Sequence, residues 1–340
     1  AGFDVTMVER DAASLETGLG RVVSFVERDL AKGRITEAEC QQRLARLAGS
    51  DTMGPMGEVD LVIEAVPEEM ALKADVMAKL GALMRPGAIL ATNTSYLDVN
   101  ALALCSNRPA DVIGLHFFAP AHVMKLLEIV VARDTAADVV ATGLAIAKAM
   151  GKQPVRSGVA DGFVGNRVLT AYRTAADHLL EDGATPSDVD NAMRDFGFKL
   201  GPYQVADLSG LDISWARRKR LAPLRDPSER YVTIGDRLCE AGRLGQKTGK
   251  GYYVYKEGNR KGKPDPEVDA IIAACREEAG IVPREVTQTE IAERCALAMV
   301  LAGLRLIEEG VAQRPSDIDV AMIHGFGFPR WKGGPMEWAD

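Results

Sequence analysis

The sequence predicts an α/β domain with a mostly parallel, doubly wound sheet, followed by an all-α domain that occurs twice. Three observations predict it. Short runs of β-branched and apolar residues alternate with helix-length stretches up to about residue 156. From Gly162 onward the pattern turns helical. Segments of this second half then recur at a nearly constant spacing.

Residues 4–8 read as a strand that ends at the acid Glu9. In a dinucleotide-binding fold, an acid at the end of the second strand accepts hydrogen bonds from ribose hydroxyls and disfavours a 2′-phosphate. Taken alone, Glu9 reads more simply as a surface residue at a strand end. Residues 11–31 form a helix with Leu15, Leu19, Val22, Val23, Val26 and Leu30 on one stripe, closed by Gly33. Thr36-Glu37-Ala38-Glu39 has the capping-box pattern and opens a second helix, so residues 11–48 make an antiparallel helical arm. Lys32 and Arg34 read as its solvated tip, with phosphate contact the lesser alternative.

Residues 59–66 form a buried parallel-type strand, stopped by Pro67, and residues 68–84 a helix carrying Lys73. Residues 88–92 form the next strand. Asn93, Thr94 and Ser95 sit at its carboxyl end, where open α/β sheets bind ligands. Residues 112–116 and 126–131 are further strands, 135–149 a helix, and Val155 part of a last short strand. No G-x-G-x-x-G occurs: Gly18-Leu19-Gly20 and Gly325-Phe326-Gly327 both lack the third glycine. The chain reads as a fragment cut at both ends, with a strand and that loop expected upstream of Ala1. On that reading it folds but binds a dinucleotide weakly, because backbone N–H groups at a helix N-terminus normally hold the pyrophosphate.

In the second half, residues 163–182 form a long apolar helix, Ser187 caps a short one, and Gly201-Pro202 opens another. Gly245-Gln246-Lys247-Thr248-Gly249-Lys250-Gly251 invites a phosphate-loop reading. It fails, because Leu244 stands where the Walker pattern needs Gly and Gly251 where it needs Ser or Thr. Residues 252–255 read as a short strand and 256–266 as a linker. Residues 167–183 recur as 294–310, Ser187-Asp188-Val189-Asp190 as Ser316-Asp317-Ile318-Asp319, and Gly201-Pro202 as Gly334-Pro335. Offsets that grow only at loops mark duplication. The predicted domains are 1–156, 157–255 and a partial second copy, 267–340. Asn166 has Glu293 as its counterpart, so one copy keeps the polar site residue.

A formal charge of -7 argues against nucleic acid as a partner. The run Arg217-Arg218-Lys219-Arg220 reads as a solvated helix face. The five cysteines (40, 105, 239, 275 and 295) are scattered, with no C-x-x-C, which argues against disulfides and a metal site and for a reducing compartment. No apolar run reaches the 18 residues of a membrane span.

Hydroxyl, amide and imidazole groups are then left at strand ends: Ser95, Asn93 and His116, with Glu128 in a following apolar strand. Oxidation of a secondary alcohol needs a base for the hydroxyl proton, and an imidazole held by a carboxylate supplies one near neutral pH. Singly, His116 could be a satisfied core histidine, and Ser95 and Asn166 structural caps. Glu128 would be costly unpaired among apolar residues, which favours a His116–Glu128 pair.

These residues carry a resemblance over essentially the whole chain. Its motifs are Val62-Ile63-Glu64-Ala65-Val66-Pro67-Glu68, Thr92-Asn93-Thr94-Ser95, Leu115-His116-Phe117-Phe118-Ala119-Pro120, Met124-Lys125-Leu126-Leu127-Glu128, Gly162-Phe163-Val164-Gly165-Asn166-Arg167 and residues 245–251. The chain resembles the L-3-hydroxyacyl-CoA dehydrogenases, most of all the dehydrogenase part of bifunctional enoyl-CoA hydratase/3-hydroxyacyl-CoA dehydrogenases of fatty-acid β-oxidation. The resemblance implies a Rossmann-like domain, NAD as cofactor and an acyl-CoA substrate. It further implies an enoyl-CoA hydratase domain upstream, a thiolase as a further partner, and a cytoplasmic location, with peroxisome or mitochondrion as alternatives. His116 matches the base and Glu128 its orienting acid. Ser95 and Asn166 match residues on the substrate oxygen, and Glu9, Glu68, Lys73 and Asn93 belong to the cofactor side. Ala119 departs from the family's usual Asn. The alternatives are a same-fold dehydrogenase for a sugar or hydroxy acid, and a non-catalytic NAD-binding or structural relative.

Overall fold

In a computed structural model of the protein, described for residues 2–256 and 262–340, the chain forms two compact units, Ala1–Phe163 and Val164–Asp340. Much of the linker expected at 256–266 lies outside the described residues.

In the first unit, β1 (Val5–Val8) leads into α1 (Ala12–Ala31), capped by Asp11, which accepts the Ser14 N–H at 2.7 Å. α2 (Glu37–Ala45) opens with the expected capping box. Glu39 accepts the Thr36 N–H at 2.7 Å, and Thr36 Oγ1 accepts the Glu39 N–H at 3.2 Å. The arm does not stay helical to residue 48. β2 (Leu47–Ser50) runs parallel to β1, with Val5 opposite Leu47. Its Gly49 leaves room for the methyls of Leu15 and Leu19, so the stripe of α1 packs on bare backbone at that point of the strand.

The rest of the unit is β3 (Leu61–Glu64), α3 (Met70–Leu83), β4 (Ile89–Thr92), α4 (Val99–Cys105), β5 (Val112–Phe117), β6 (Leu126–Val130), α5 (Ala137–Ala149) and β7 (Gln153–Ser157). The strands β3 to β7 lie side by side in chain order. Successive side chains point to opposite faces. Leu90, Val112 and Val130 therefore meet Met77 and Leu80 of α3 and Leu102 of α4 on one face. Ile89, Ile113, Leu115, Leu127 and Ile129 meet Val139 and Ala147 of α5 on the other.

This is the expected doubly wound layering, with two differences. β1 and β2 form a separate two-stranded sheet. Among the described residues β3 pairs with β4 alone, and Ile63 on β3 and Val5 on β1 are exposed. Second, β6 is antiparallel to β5. The connection, residues 118–125, is too short for the crossover that parallel neighbours require.

The second unit holds α6 (Gly165–Asp182), α7 (Pro186–Phe196), α8 (Pro202–Ser209), α9 (Leu211–Leu221), α10 (Ile234–Glu240), α11 (Pro266–Glu278), α12 (Gln288–Glu308), α13 (Pro315–Gly325) and α14 (Pro335–Ala339). α7 is capped by Thr185 rather than by Ser187, because Pro186 takes the first helical position and Asp188 closes the capping box. α6 and α12 pack against each other. The duplication extends to single hydrogen bonds. Asp190 on α7 accepts the Tyr203 N–H at 2.9 Å, and its counterpart Asp319 on α13 accepts the Met336 N–H at 2.7 Å. Each carboxylate thus caps the helix that follows.

Gly201 and Gly334 precede those helices, and a Cβ on either would overlap the aspartate beside it, Asp190 or Asp319. Gly201→Ala is therefore expected to cost about 1–3 kcal/mol. Gly20→Ala, in the exposed interior of α1 where an added Cβ meets nothing, is expected instead to add about 0.5–1 kcal/mol. Urea denaturation midpoints of the two variants measure the contrast.

The Gly-Lys loop serves packing. Asp207 accepts the N–H groups of Tyr252 at 2.8 Å and Tyr253 at 3.0 Å and the Tyr255 hydroxyl at 2.8 Å. Gly245 and Gly251 lie where a Cβ would overlap that aspartate. Residues 252–255 form isolated bridges, Lys250 with Val254 and Val254 with Lys263, rather than a strand. The basic run is not wholly solvated either: Arg218 turns inward to Asp236 at 2.7 Å, while Lys219 lies over the Trp215 ring.

Burial pushes the carboxyls of Asp177, Asp190 and Asp207 up to about 6. A carboxyl whose folded pKa is raised costs stability above that value and ceases to do so below its unfolded value near 4. His178, pushed down mainly by burial, opposes this in the same window. The three carboxyls outweigh it, so acidification from pH 7.5 to 5.5 is expected to add about 1–2 kcal/mol. Calorimetric melting across that window should show a rising Tm; a falling one would contradict the assignment of these carboxyls as raised.

Candidate active site

The antiparallel β5–β6 pair builds the centre of the site. His116 and Glu128 are directly opposed across it, and opposed residues project to the same face. His116 Nδ1 lies 2.6 Å from Glu128 Oε2. Both side chains are buried, Glu128 completely. A carboxylate accepts only, so Nδ1 carries the proton and donates it, which leaves Nε2 with its lone pair. Ser95 Oγ sits 3.0 Å from that Nε2, on the turn after β4. The rings of Phe118 and Phe163 lie 4.4 Å and 5.5 Å from the imidazole and wall it from water. Phe163 takes the left-handed conformation, φ 48°. This is unusual for a bulky residue, and its fully buried ring offsets the strain.

The residues around Ser95 each have a task. Thr92 donates its hydroxyl to Glu64 Oε2 at 2.7 Å. Asn93 Oδ1 accepts the N–H of Phe117, the residue after His116, at 2.9 Å. Thr94 donates its hydroxyl to Glu68 Oε1 at 2.6 Å, and the same oxygen accepts the N–H groups of Ser95 at 2.8 Å and Tyr96 at 3.0 Å. Lys73 lies between two carboxylates, 2.7 Å from Glu64 and 3.5 Å from Glu68, and donates to the Val66 carbonyl at 3.0 Å. Burial pushes the Glu68 carboxyl up, but the hydrogen bonds from Thr94 and Ser95 and the Lys73 charge outweigh it and hold the group below its ordinary value.

Of the residues expected from sequence, Ser95, His116 and Glu128 are brought together. Glu68, Asn93 and Lys73, expected on the cofactor side, hold the Ser95 turn and the end of β5, and the Lys73 side chain is 1% exposed. Glu9 stands exposed at the end of β1, its N–H on the Ser50 carbonyl at 3.1 Å. Asn166 lies in the other unit, half-buried in the first turn of α6. Sequence reasoning gave no role to Glu64 or to the two phenylalanines. An acid closing an apolar strand, followed nine positions later by a lysine, was the available signal, since neither charge is tolerated buried without the other. Among the described residues no group of three or more His, Cys, Asp or Glu is placed to hold a metal ion, and no helix is long and apolar enough to cross a membrane.

Two family models match the chain. Residues 1–160 match the 3-hydroxyacyl-CoA dehydrogenase NAD binding domain, and residues 162–255 the 3-hydroxyacyl-CoA dehydrogenase C-terminal domain. The peroxisomal bifunctional enzyme of Danio rerio is 44% identical over 351 residues, which cover all of this chain and 48% of that protein. The human protein of the same name is 43% identical and is likewise covered to 48%. The chain thus spans about half the length of the curated relatives it matches. Among solved structures, 3-hydroxybutyryl-CoA dehydrogenase from Escherichia coli superposes with a TM-score of 0.84 at 26% identity, over 99% of this chain and 86% of that one. The dehydrogenase part of multifunctional enzyme 1 from C. elegans gives 0.67 at 29% identity, over 96% and 74%. By the two family models and the identity carried across its full length, the chain belongs to the 3-hydroxyacyl-CoA dehydrogenase family.

Proposed function

We propose that the chain oxidises L-3-hydroxyacyl-CoA to 3-ketoacyl-CoA with NAD+, in fatty-acid β-oxidation. The observation that carries this reading is the buried Glu128–His116–Ser95 line, in which Nδ1 meets the carboxylate and Nε2 meets the Ser95 hydroxyl. When bound, NAD+ would accept the hydride from the carbinol carbon. His116 Nε2 takes the proton of the 3-hydroxyl as the C–H bond gives up its hydride, so the product is a ketone. Glu128 stabilises the imidazolium that results. Ser95 orients the substrate oxygen toward Nε2, and Asn166 keeps the role the resemblance gives it, on the same oxygen. Glu9 suits the ribose hydroxyls: among the described residues its carboxylate accepts no hydrogen bond, and hydroxyls are donors.

An acyl-CoA is favoured over a sugar acid or free hydroxy acid because both family models that match, and the Escherichia coli structure that superposes over 99% of this chain, are those of dehydrogenases named for CoA esters. A relative that only packs or only binds NAD would not need Ser95 on the imidazole. We further propose that the chain works joined to an enoyl-CoA hydratase domain and passes its product to a thiolase. Its place is a bacterial cytoplasm or, as in the relatives named peroxisomal, a peroxisome. The test is oxidation of NADH by acetoacetyl-CoA, followed by absorbance, against free acetoacetate and a keto sugar acid. Turnover confined to the acyl-CoA supports the assignment, and turnover confined to a free acid overturns it.

A further inference from the structure

We propose that Glu68 is the positioning residue of this site: its carboxylate folds the turn after β4 so that Ser95 is held on His116. The inference rests on the dehydrogenase reading and deepens it. One oxygen, Oε1, gathers three donors from three consecutive residues: the Thr94 hydroxyl, the Ser95 N–H and the Tyr96 N–H, at 2.6, 2.8 and 3.0 Å. Such convergence on one acceptor fixes the backbone on both sides of Ser95, which leaves only χ1 to aim its hydroxyl. Thr94 passes the constraint on, because its Oγ1 also accepts the Leu97 N–H at 3.0 Å.

The anchor behind Glu68 is equally defined. Lys73 counters its charge at 3.5 Å and is itself fixed by Glu64 at 2.7 Å and by the Val66 carbonyl. Glu64 ends β3 and holds Thr92 of β4, so the carboxylate that folds the turn is tied to the strand the turn leaves and to its neighbour. The Asn93 amide adds a second tie, to the backbone beside His116. A serine on a free turn would sample several positions. Here both partners of the Ser95–His116 hydrogen bond are set by the same framework. Charge-assisted hydrogen bonds to backbone N–H groups make that framework stiff, and a misplacement of about 1 Å is enough to cost roughly 100-fold in rate.

The consequence separates positioning from cofactor contact. Glu68→Ala should lower kcat roughly 10–100-fold with the KM for NADH little changed. It should add nothing to the defect of Ser95→Ala when the two are combined. Glu68→Gln keeps an acceptor oxygen, so it should recover most of the rate and guards against a variant that fails to fold. In protein labelled with 15N-histidine, the His116 Nε2 resonance should move in Glu68→Ala in the same direction as in Ser95→Ala, a readout that needs neither cofactor nor turnover. The proposal is overturned if Glu68→Ala raises the KM for NADH alone, if its effect multiplies with that of Ser95→Ala, or if the Nε2 resonance stays in place. Should the dehydrogenase reading itself be wrong, the resonance still reports on the turn while no variant has acyl-CoA turnover to lose.

Discussion

Replacing His116 by glutamine should lower the rate of NADH oxidation by acetoacetyl-CoA by about 10²–10⁴-fold, the range that a general base contributes. Glutamine is the informative substitution. Its amide can still donate to Glu128, so the carboxylate, with no exposed surface, keeps a partner and the fold survives. Alanine would take away the ring N–H that the buried carboxylate accepts, at a cost of about 1–3 kcal/mol, and would confound loss of chemistry with loss of structure. Binding of acetoacetyl-CoA, measured by calorimetry, should change far less than the rate, because the base acts on the substrate oxygen alone. A glutamine variant with unaltered turnover would overturn the assignment of His116.

The second large effect is expected at Glu128→Gln. The shape is conserved and His116 remains, yet the rate should fall roughly 100-fold or more. An amide can present an N–H to Nδ1, which moves the ring proton to Nε2. The nitrogen facing Ser95 and the substrate would then be a donor and could not accept the hydroxyl proton. Stability should change little, because an amide opposite an imidazole is satisfied in either tautomer. The rate at saturating substrate, set beside the thermal midpoint of the same variant, checks both halves of this expectation.

Much of this architecture was legible in the sequence because it follows from periodicity and caps. The strands β3, β4 and β5, the α1 stripe, the Thr36 cap and the duplicated helices were all in view. β2 was not: four residues with a central Ala-Gly give neither alternation nor bulk, and only Leu15 and Leu19 of α1 tell them what to be. The direction of β6 could have been read from the short segment between Phe117 and Leu126. A hairpin there turns the twelve-residue spacing of His116 and Glu128 into direct opposition. Ser95, His116 and Glu128 were nameable as chemistry. That Glu68 and Lys73 serve the Ser95 turn was not, because which backbone N–H groups a carboxylate collects depends on the fold of a turn. Periodicity does not encode that.

Glu128 fixes the imidazole of His116 with Nε2 turned to accept the substrate proton. The ring 15N spectrum of selectively labelled histidine, taken at alkaline pH, reads this directly, with only four histidines to assign. His116 should show a protonated Nδ1 and an unprotonated Nε2, and Glu128→Gln should shift the population toward the opposite tautomer. A proton found on Nε2 in the unmodified protein would contradict it.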